Sequence, residues 1–301
     1  MKLLTIACME PVEGFEDRLK LEFDMLKDEG VEILLKTVNK GNALYFFCHI
    51  ADEVFLKSNR EEIMQLFLYR VSNALSDIIV NCWEPKLIKK IIKTNYFYFN
   101  TYEQEKIFHF TEDILNFTEN GEKRDIFYQI KRKTFLLHKI LDYLRNNSTI
   151  ILEGFIKFRL KDYLEQLEEA VDKAIDEYLM DKEYKEFIKL LRYFVDLQEP
   201  KRDLVNLVVK DGELLLYDDH MNTIDKDYGF EQSTIENSEV NNDDILVSAL
   251  INMAPKKIII HGSSQKDKRE VISALYNIFE DRVIFCNSCE ICLQLKPFRT
   301  K

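Results

Sequence analysis

Leu3-Leu4-Thr5-Ile6-Ala7-Cys8 is a short apolar run closed at once by Glu10 and Pro11, and it sets the class of the fold. It is too short for the apolar region of a secretory leader, so it reads as a first β-strand. Outward from it, Phe15, Leu19, Phe23 and Leu26 recur at helical spacing between Gly14 and Glu29. Gly30 stands where a helix ends in a residue of positive φ, which glycine adopts without steric cost. Val31 to Val38 and Ala43 to Ile50 are β-rich and joined by Asn39-Lys40-Gly41-Asn42, which predicts a hairpin. Ser58-Asn59-Arg60-Glu61 has capping-box spacing and opens a helix carrying Ile63, Phe67, Ala74, Leu75 and Ile78. The resulting β-α-β-β-α order is that of the first part of a ferredoxin-like layer.

Beyond Pro85 a further helix is expected, and Thr101-Tyr102-Glu103-Gln104 predicts a second capping box for a helix reaching Phe117. From Asn120-Gly121 to Pro200 the pattern is helical throughout. Ile126, Ile130, Leu137, Leu141 and Leu144 mark one helix, broken by Asn146-Asn147-Ser148. A second is expected from Thr149 to Met180 and a third from Asp181 to Leu197, stopping ahead of Pro200. The carboxyl-terminal part holds two strands, Leu204 to Lys210 and Glu213 to Tyr217, around Asp211-Gly212, a strong hairpin signal. Lys257 to His261, Asp267 to Phe279 and Arg282 to Cys286 predict a right-handed parallel strand–helix–strand unit. The fold class is therefore α+β and predominantly helical. Three regions are expected: an amino-terminal α+β domain over 1–120, a helical middle over 121–200 and a small α/β domain over 201–301. Between Asp218 and Asp244 nine acids face Lys226 alone, a net of −8, and the 218–242 stretch reads as a solvated acidic loop.

Composition limits the function. The 301 residues are 46% apolar and 32% charged, the balance of a globular protein with a core. Acids exceed bases by 53 to 42, so general phosphate binding is disfavoured. No membrane-spanning run of about 18 consecutive apolar residues occurs. Six cysteines without a framework spacing point to a reducing cytoplasm.

Three candidate sites emerge. Cys286-Asn287-Ser288-Cys289-Glu290-Ile291-Cys292 can chelate a metal, because a C-x-x-C turn points two sulfurs inward and a third follows. Continued to Pro297, the run has the spacing of a bacterial ferredoxin, with Lys296 in place of the last cysteine. Zinc or an iron–sulfur cluster would then need a fourth ligand, from His261, His220 or another chain. Packing as inert small apolar groups is the plainer reading of these thiols, and redox chemistry a third. In the middle helices Phe155 and Phe158 oppose Ile156 and Leu160, while Leu190, Tyr193 and Leu197 form a stripe distinct from Tyr184, Ile188, Leu191 and Val195. Helices apolar on two sides lie between layers or await a partner, and the first reading is preferred. Glu153, Arg159, Arg192 and Gln198 fall among these stripes, either as a structural Arg–Glu lock or as a binding site for an anion. Lastly, seven bases against three acids give the 122–145 helix a net of +4, which suits an anionic surface or the acidic helices beside it, the latter being preferred. His261-Gly262-Ser263-Ser264 reads as a plain βα turn rather than a phosphate loop, and Tyr96-Phe97-Tyr98-Phe99 as core packing.

The stretches Glu153-Gly154-Phe155-Ile156-Lys157-Phe158-Arg159-Leu160-Lys161 and Tyr184 to Val195, with Gln198-Glu199-Pro200-Lys201, resemble the YtxC-like sporulation protein family. That resemblance implies a cytosolic protein of spore-forming bacteria and brings no reaction with it. The expectation is a non-enzymatic interaction or regulatory protein with an unidentified protein partner, nucleic acid being disfavoured. A metal or iron–sulfur protein, and a nucleic-acid binder using the 122–145 helix, are the alternatives.

Overall fold

The computed structural model describes residues 1–10, 12–41, 43–50, 60–116, 126–210, 213–224, 242–262, 270–286, 289–290 and 292. The fold is mostly helical α+β, with two mixed four-stranded sheets. Packing divides it into two units, Met1–Leu179 and Met180–Lys301.

In the first unit β1 (Lys2–Cys8) is central, and all of its residues but Lys2 are buried, as a continuous apolar run requires. The sheet order is β2-β3-β1-β4. β2 (Ile33–Lys40) and β3 (Ala43–Ile50) form the predicted hairpin, but pairing runs to Lys40 opposite Ala43, so its loop is shorter than expected. α1 (Phe15–Asp28) buries Phe15, Leu19, Phe23 and Leu26. It ends as Gly30 predicts: with φ of 86°, Gly30 donates its N–H to Lys27 O at 2.9 Å and Val31 donates to Leu26 O at 2.9 Å. β4 (Thr149–Ile151) runs parallel to β1. The last strand of a true ferredoxin-like unit would cross over parallel to β3, and so antiparallel to β1. The likeness therefore ends at β3.

The predicted Ser58 cap lies outside the described residues. α2 (Arg60–Ile78), a π-helical turn (Ile79–Trp83) and α3 (Glu84–Asn95) follow without a break. By length and composition this helix could cross a bilayer, but half of its apolar window is buried in the protein. Two acids within it are paired: Asp77 meets Arg18 and Lys133, and Glu84 meets Arg132. α4 (Thr101–Asn116) has its capping box one residue earlier than predicted. Asn100 Oδ1 accepts the Glu103 N–H and Glu103 Oε2 accepts the Asn100 N–H, both at 3.0 Å. Asparagine caps at least as well as threonine, so Asn100 takes the position. Asn100→Ala is expected to destabilise the first unit by about 1 kcal/mol in urea denaturation.

α5 (Ile126–Asn146) buries Leu136, Leu137, Ile140 and Leu144, whereas Ile130 is exposed. The expected stripe is thus shifted along the helix. Three of its bases pair with acids of neighbouring helices, the preferred reading: Arg132 with Glu84, Lys133 with Asp77 and Lys139 with Asp162.

The helix expected from Thr149 is instead β4, then α6 (Leu152–Arg159), then α7 (Lys161–Leu197). Thr149-Ile150-Ile151 is β-branched and joins the edge of the sheet. Leu160, fully buried, leaves helical geometry with φ −108° and ψ 35° and separates α6 from α7. No break falls at Asp181, where neither glycine nor proline interrupts the pattern, and α7 continues for 37 residues. Tyr163, Leu167, Val171, Ala174, Ile175 and Tyr178 join the core of the first unit. That core also takes in α5 and α6, so residues of the helical middle and of the amino-terminal part share one interior.

In the second unit Ile188 and Val195 of α7 pack in a separate core. Its sheet has the order β6-β5-β7-β8. β5 (Leu204–Lys210) and β6 (Glu213–Tyr217) are the antiparallel hairpin predicted from Asp211-Gly212, which itself lies outside the described residues. β7 (Lys257–His261) runs parallel to β5 and to β8 (Val283–Phe285). α8 (Asn242–Met253) and α9 (Glu270–Phe279) complete the unit. Of the acidic stretch, 218–224 is an ordered turn, in which Asp218 Oδ1 accepts the N–H groups of His220 and Asn222. Residues 225–241 lie outside the described residues.

The expectation that both middle helices are buried on two sides is corrected. Phe155 is buried, but Phe158 is 64% exposed. Leu190, Tyr193 and Leu197 are also open, because the second core covers only the Ile188–Val195 side of α7.

Candidate metal centre

Parallel pairing builds the site. β7 ends at His261, and β8 runs beside it with Ile260 opposite Phe285. The residue after β8 therefore emerges at the same sheet edge, and the Cys286 N–H donates to Ile260 O at 2.9 Å, extending the ladder by one bond. Three and six residues later come Cys289 and Cys292, and the Cys292 N–H points at Cys289 Sγ, 3.4 Å away. His261 and Cys292 are buried, while Cys286 and Cys289 are half-buried.

The ligand atoms of His261, Cys286, Cys289 and Cys292 lie within 4.8 Å of one another. His261 Nδ1 is 3.3 Å from Cys289 Sγ and 3.6 Å from Cys292 Sγ. Zinc–sulfur and zinc–nitrogen bonds of about 2.3 and 2.0 Å at a tetrahedral angle separate N from S by about 3.5 Å, and S from S by about 3.8 Å. The two nitrogen–sulfur distances are of that size, so the four residues form a plausible metal-binding group. A four-iron cluster holds each ligand on a different iron, with cluster atoms between them, and needs a wider cage.

The imidazole is oriented for this task. Asn206, on β5, uses its Nδ2–H to donate to Asp218 O at 2.8 Å. That fixes the amide, so Oδ1 faces His261 Nε2 at 3.1 Å and accepts its proton. The lone pair of Nδ1 is thereby directed at the sulfurs, which is the tautomer a metal needs. Burial also lowers the His261 pKa, which keeps the ring neutral. Loss of solvent, then hydrogen bonding and repulsion from Cys289 and Cys292, push the Cys286 thiol up to about 11. A bound cation reverses that preference, since it stabilises thiolates directly.

Of the fourth ligands weighed from sequence, His261 is the one the fold supplies. The His220 side chain is 80% exposed and lies against Asp219. Lys296 and the rest of the ferredoxin-like spacing fall outside the described residues, as do Ser263 and Ser264 of the βα turn. Asn206 was not singled out from sequence, although an asparagine within Leu204-Val205-Asn206-Leu207-Val208 is a polar interruption of an apolar strand.

Of the other predicted residues, Glu153 and Arg159 belong to the first unit and Arg192 and Gln198 to the second. Glu153 Oε1 accepts the N–H groups of Met9 and Glu10 at 2.6 and 3.1 Å, and so ties α6 to the end of β1. Arg159 lies over the Tyr143 ring, 5.9 Å from its centre. Arg192 pairs with Glu280 at 2.6 Å and donates to Asn277 O. Gln198 is half-buried just past α7.

A profile of the YtxC-like family matches residues 69–284. The chain is 25% identical over 219 residues to the uncharacterized protein YtxC of Bacillus subtilis (strain 168), covering 69% of this chain and 73% of that protein. No solved structure matches.

Proposed function

We propose that this chain, which belongs to the YtxC-like family, is a non-enzymatic interaction protein whose carboxyl-terminal unit is closed by one structural zinc ion. Its ligands are His261 Nδ1 and the sulfurs of Cys286, Cys289 and Cys292. The observation that carries this reading is the hydrogen-bonded Asn206, which aims Nδ1 at sulfurs standing 3.3 and 3.6 Å away. Four protein ligands complete a tetrahedron and leave no position for water or substrate, the pattern of structural rather than catalytic zinc. The ion would join the ends of β7 and β8 to Cys289 and Cys292, holding a strand of three residues in a small sheet.

The setting we infer is the reducing cytoplasm of a spore-forming bacterium, where such thiolates stay available for metal. Recovery of the protein with the membrane fraction of sporulating cells would count against it. Phosphate recognition by α5 is disfavoured because Arg132, Lys133 and Lys139 already meet acids.

Metal analysis of the chain purified without added metal tests the central claim. One zinc per chain and a colourless solution are expected, and replacement by cobalt should give the visible bands of a tetrahedral thiolate site. A brown protein carrying several irons per chain would establish the cluster instead. Absence of metal after reconstitution with either ion would overturn both readings.

A further inference from the structure

Strand pairing fixes which residues of the first sheet share a face. On β3, Phe46 lies on the face that α1 covers, since its ring stacks on Phe15 with centres 4.6 Å apart. Alternation puts Tyr45 and Phe47 on the other face. There Phe47 stands between Lys36 of β2 and Thr5 of β1, its partners on either side. The Lys2 ammonium lies over the Phe47 ring, 5.9 Å from its centre. This second face is open to solvent. Leu34 and Ile151, which belong to it on the two edge strands, are 60 and 45% exposed. Lys2, Lys36 and Lys40 are exposed, and Tyr45 and Phe47 are half-buried.

Four features of that face go together. The Tyr45 and Phe47 rings are nearly parallel, with centres 6.3 Å apart and planes 12° from each other. All three lysines of the sheet lie on it, and among the described residues none of them is in an ion pair, whereas Arg132, Lys133 and Lys139 of α5 each meet an acid. The four strands contain no aspartate or glutamate, in a chain with 53 acids. Thr5, 6% exposed, has a hydroxyl with no hydrogen-bond partner among the described residues.

We propose that this face binds a single-stranded nucleic acid, with neighbouring bases stacked on Tyr45 and Phe47 and the phosphates beside them met by Lys2, Lys36 and Lys40. Aromatic rings on the open face of a four-stranded sheet are a recurring platform for unstacked bases, and cations interleaved with the rings hold the backbone. A duplex keeps its bases stacked on one another and offers no free π face to such a surface. An apolar partner would leave three ammonium groups uncompensated, and an acidic peptide would make no use of the parallel rings. Net charge argues against phosphate binding over the surface as a whole, but phosphates are met locally, and the acids of this chain lie off these strands. The inference gives the interaction protein proposed above a ligand, and it rests on the first unit alone, apart from the metal site of the second.

Fluorescence anisotropy of the full chain with labelled oligouridylate and oligothymidylate of about 12 nucleotides, run as separate arms, tells RNA from DNA. Micromolar binding at low salt is expected in at least one arm. Its logarithm should fall with that of salt at a slope near −2, from about 0.7 for each phosphate that a lysine meets. Tyr45→Leu with Phe47→Leu keeps an apolar side chain at both positions, removes the rings and should weaken binding by about 10-fold or more. Lys36→Gln with Lys40→Gln changes two exposed side chains and should flatten the slope by about 1.4. Far-UV circular dichroism and Trp83 fluorescence check that the first unit stays folded in both double variants. Zinc content should stay at the wild-type value, so this inference and the metal reading fail separately. No binding in either arm, a duplex bound as tightly as the single strands, or folded variants that bind as before would overturn the inference. So would ultraviolet cross-links to the oligonucleotide that fall only within residues 126–146, which would place the contact on α5.

Discussion

Cys289→Ser is expected to abolish stoichiometric zinc binding and, with it, the cooperative unfolding of the second unit. Structural zinc contributes on the order of 10 kcal/mol or more of folding free energy in small domains, and a serine oxygen is a poor replacement for a thiolate. The effect should travel along named bonds. Without the ion the three sulfurs lose their shared ligand bond, and Cys289 and Cys292 disfavour ionisation of the Cys286 thiol. His261 then loses its Nδ1 partner, and the Asn206 bridge to Asp218 O is relaxed. Hydrogen exchange should accordingly quicken in β7, in β8 and in the 218–222 turn, with the first unit unchanged. Asn206→Leu serves as the graded comparison: it keeps all four ligands and should weaken zinc affinity by roughly 10- to 100-fold, the usual cost of removing an outer hydrogen bond. A Cys289→Ser protein that still binds one zinc and melts like the parent would refute this account of the second unit.

In the first unit the largest single effect is expected from Glu84→Ala. Glu84 opens α3 and is buried. One oxygen accepts from Arg132 of α5 at 3.3 Å, and the other accepts the hydroxyl of Tyr163 on α7. Arg132 also donates to Leu115 O at the end of α4, at 2.5 Å. Three helices and a helix end thus meet on one carboxylate. Burial and the adjacent carboxylate push the Tyr163 phenol far up, so it stays a hydrogen-bond donor. Alanine at 84 strands a guanidinium that is 12% exposed and a hydroxyl on a fully buried ring. Breaking a buried ion pair from one side costs about 3–5 kcal/mol. The chain's one tryptophan, Trp83, is buried beside Glu84, so its fluorescence follows this unit and not the other. Urea titration read at Trp83 should show the loss, and a change below about 1 kcal/mol would mean that the pair is idle.

Much of this architecture was legible in the residue order, and the misses have common causes. The β1 run, the α1 stripe, Gly30 and both hairpins were readable because each depends on contacts within a few residues. Thr149-Ile150-Ile151 was misread because its helical surroundings suggested helix, while its strand partner, Thr5 to Ala7, lies far away in the chain. The Asn100 cap shows the ordinary slip of one residue, where neighbouring Asn and Thr both qualify. Glu84 gave no sign, since its partners come from α5 and α7.

The same division runs through the sites. Residue order was enough to establish a mostly helical α+β chain, the parallel strands β7 and β8, and three cysteines spaced for chelation, all of them local patterns. Folding in three dimensions chose among the possible fourth ligands, because the pairing of β7 with β8 brings His261 to Cys286. Folding also set the tautomer of that histidine through Asn206, a bond between two strands. It settled which apolar side of α7 is covered as well. Periodicity reports how apolar each side of a helix is, whereas coverage depends on surfaces contributed by residues far along the chain.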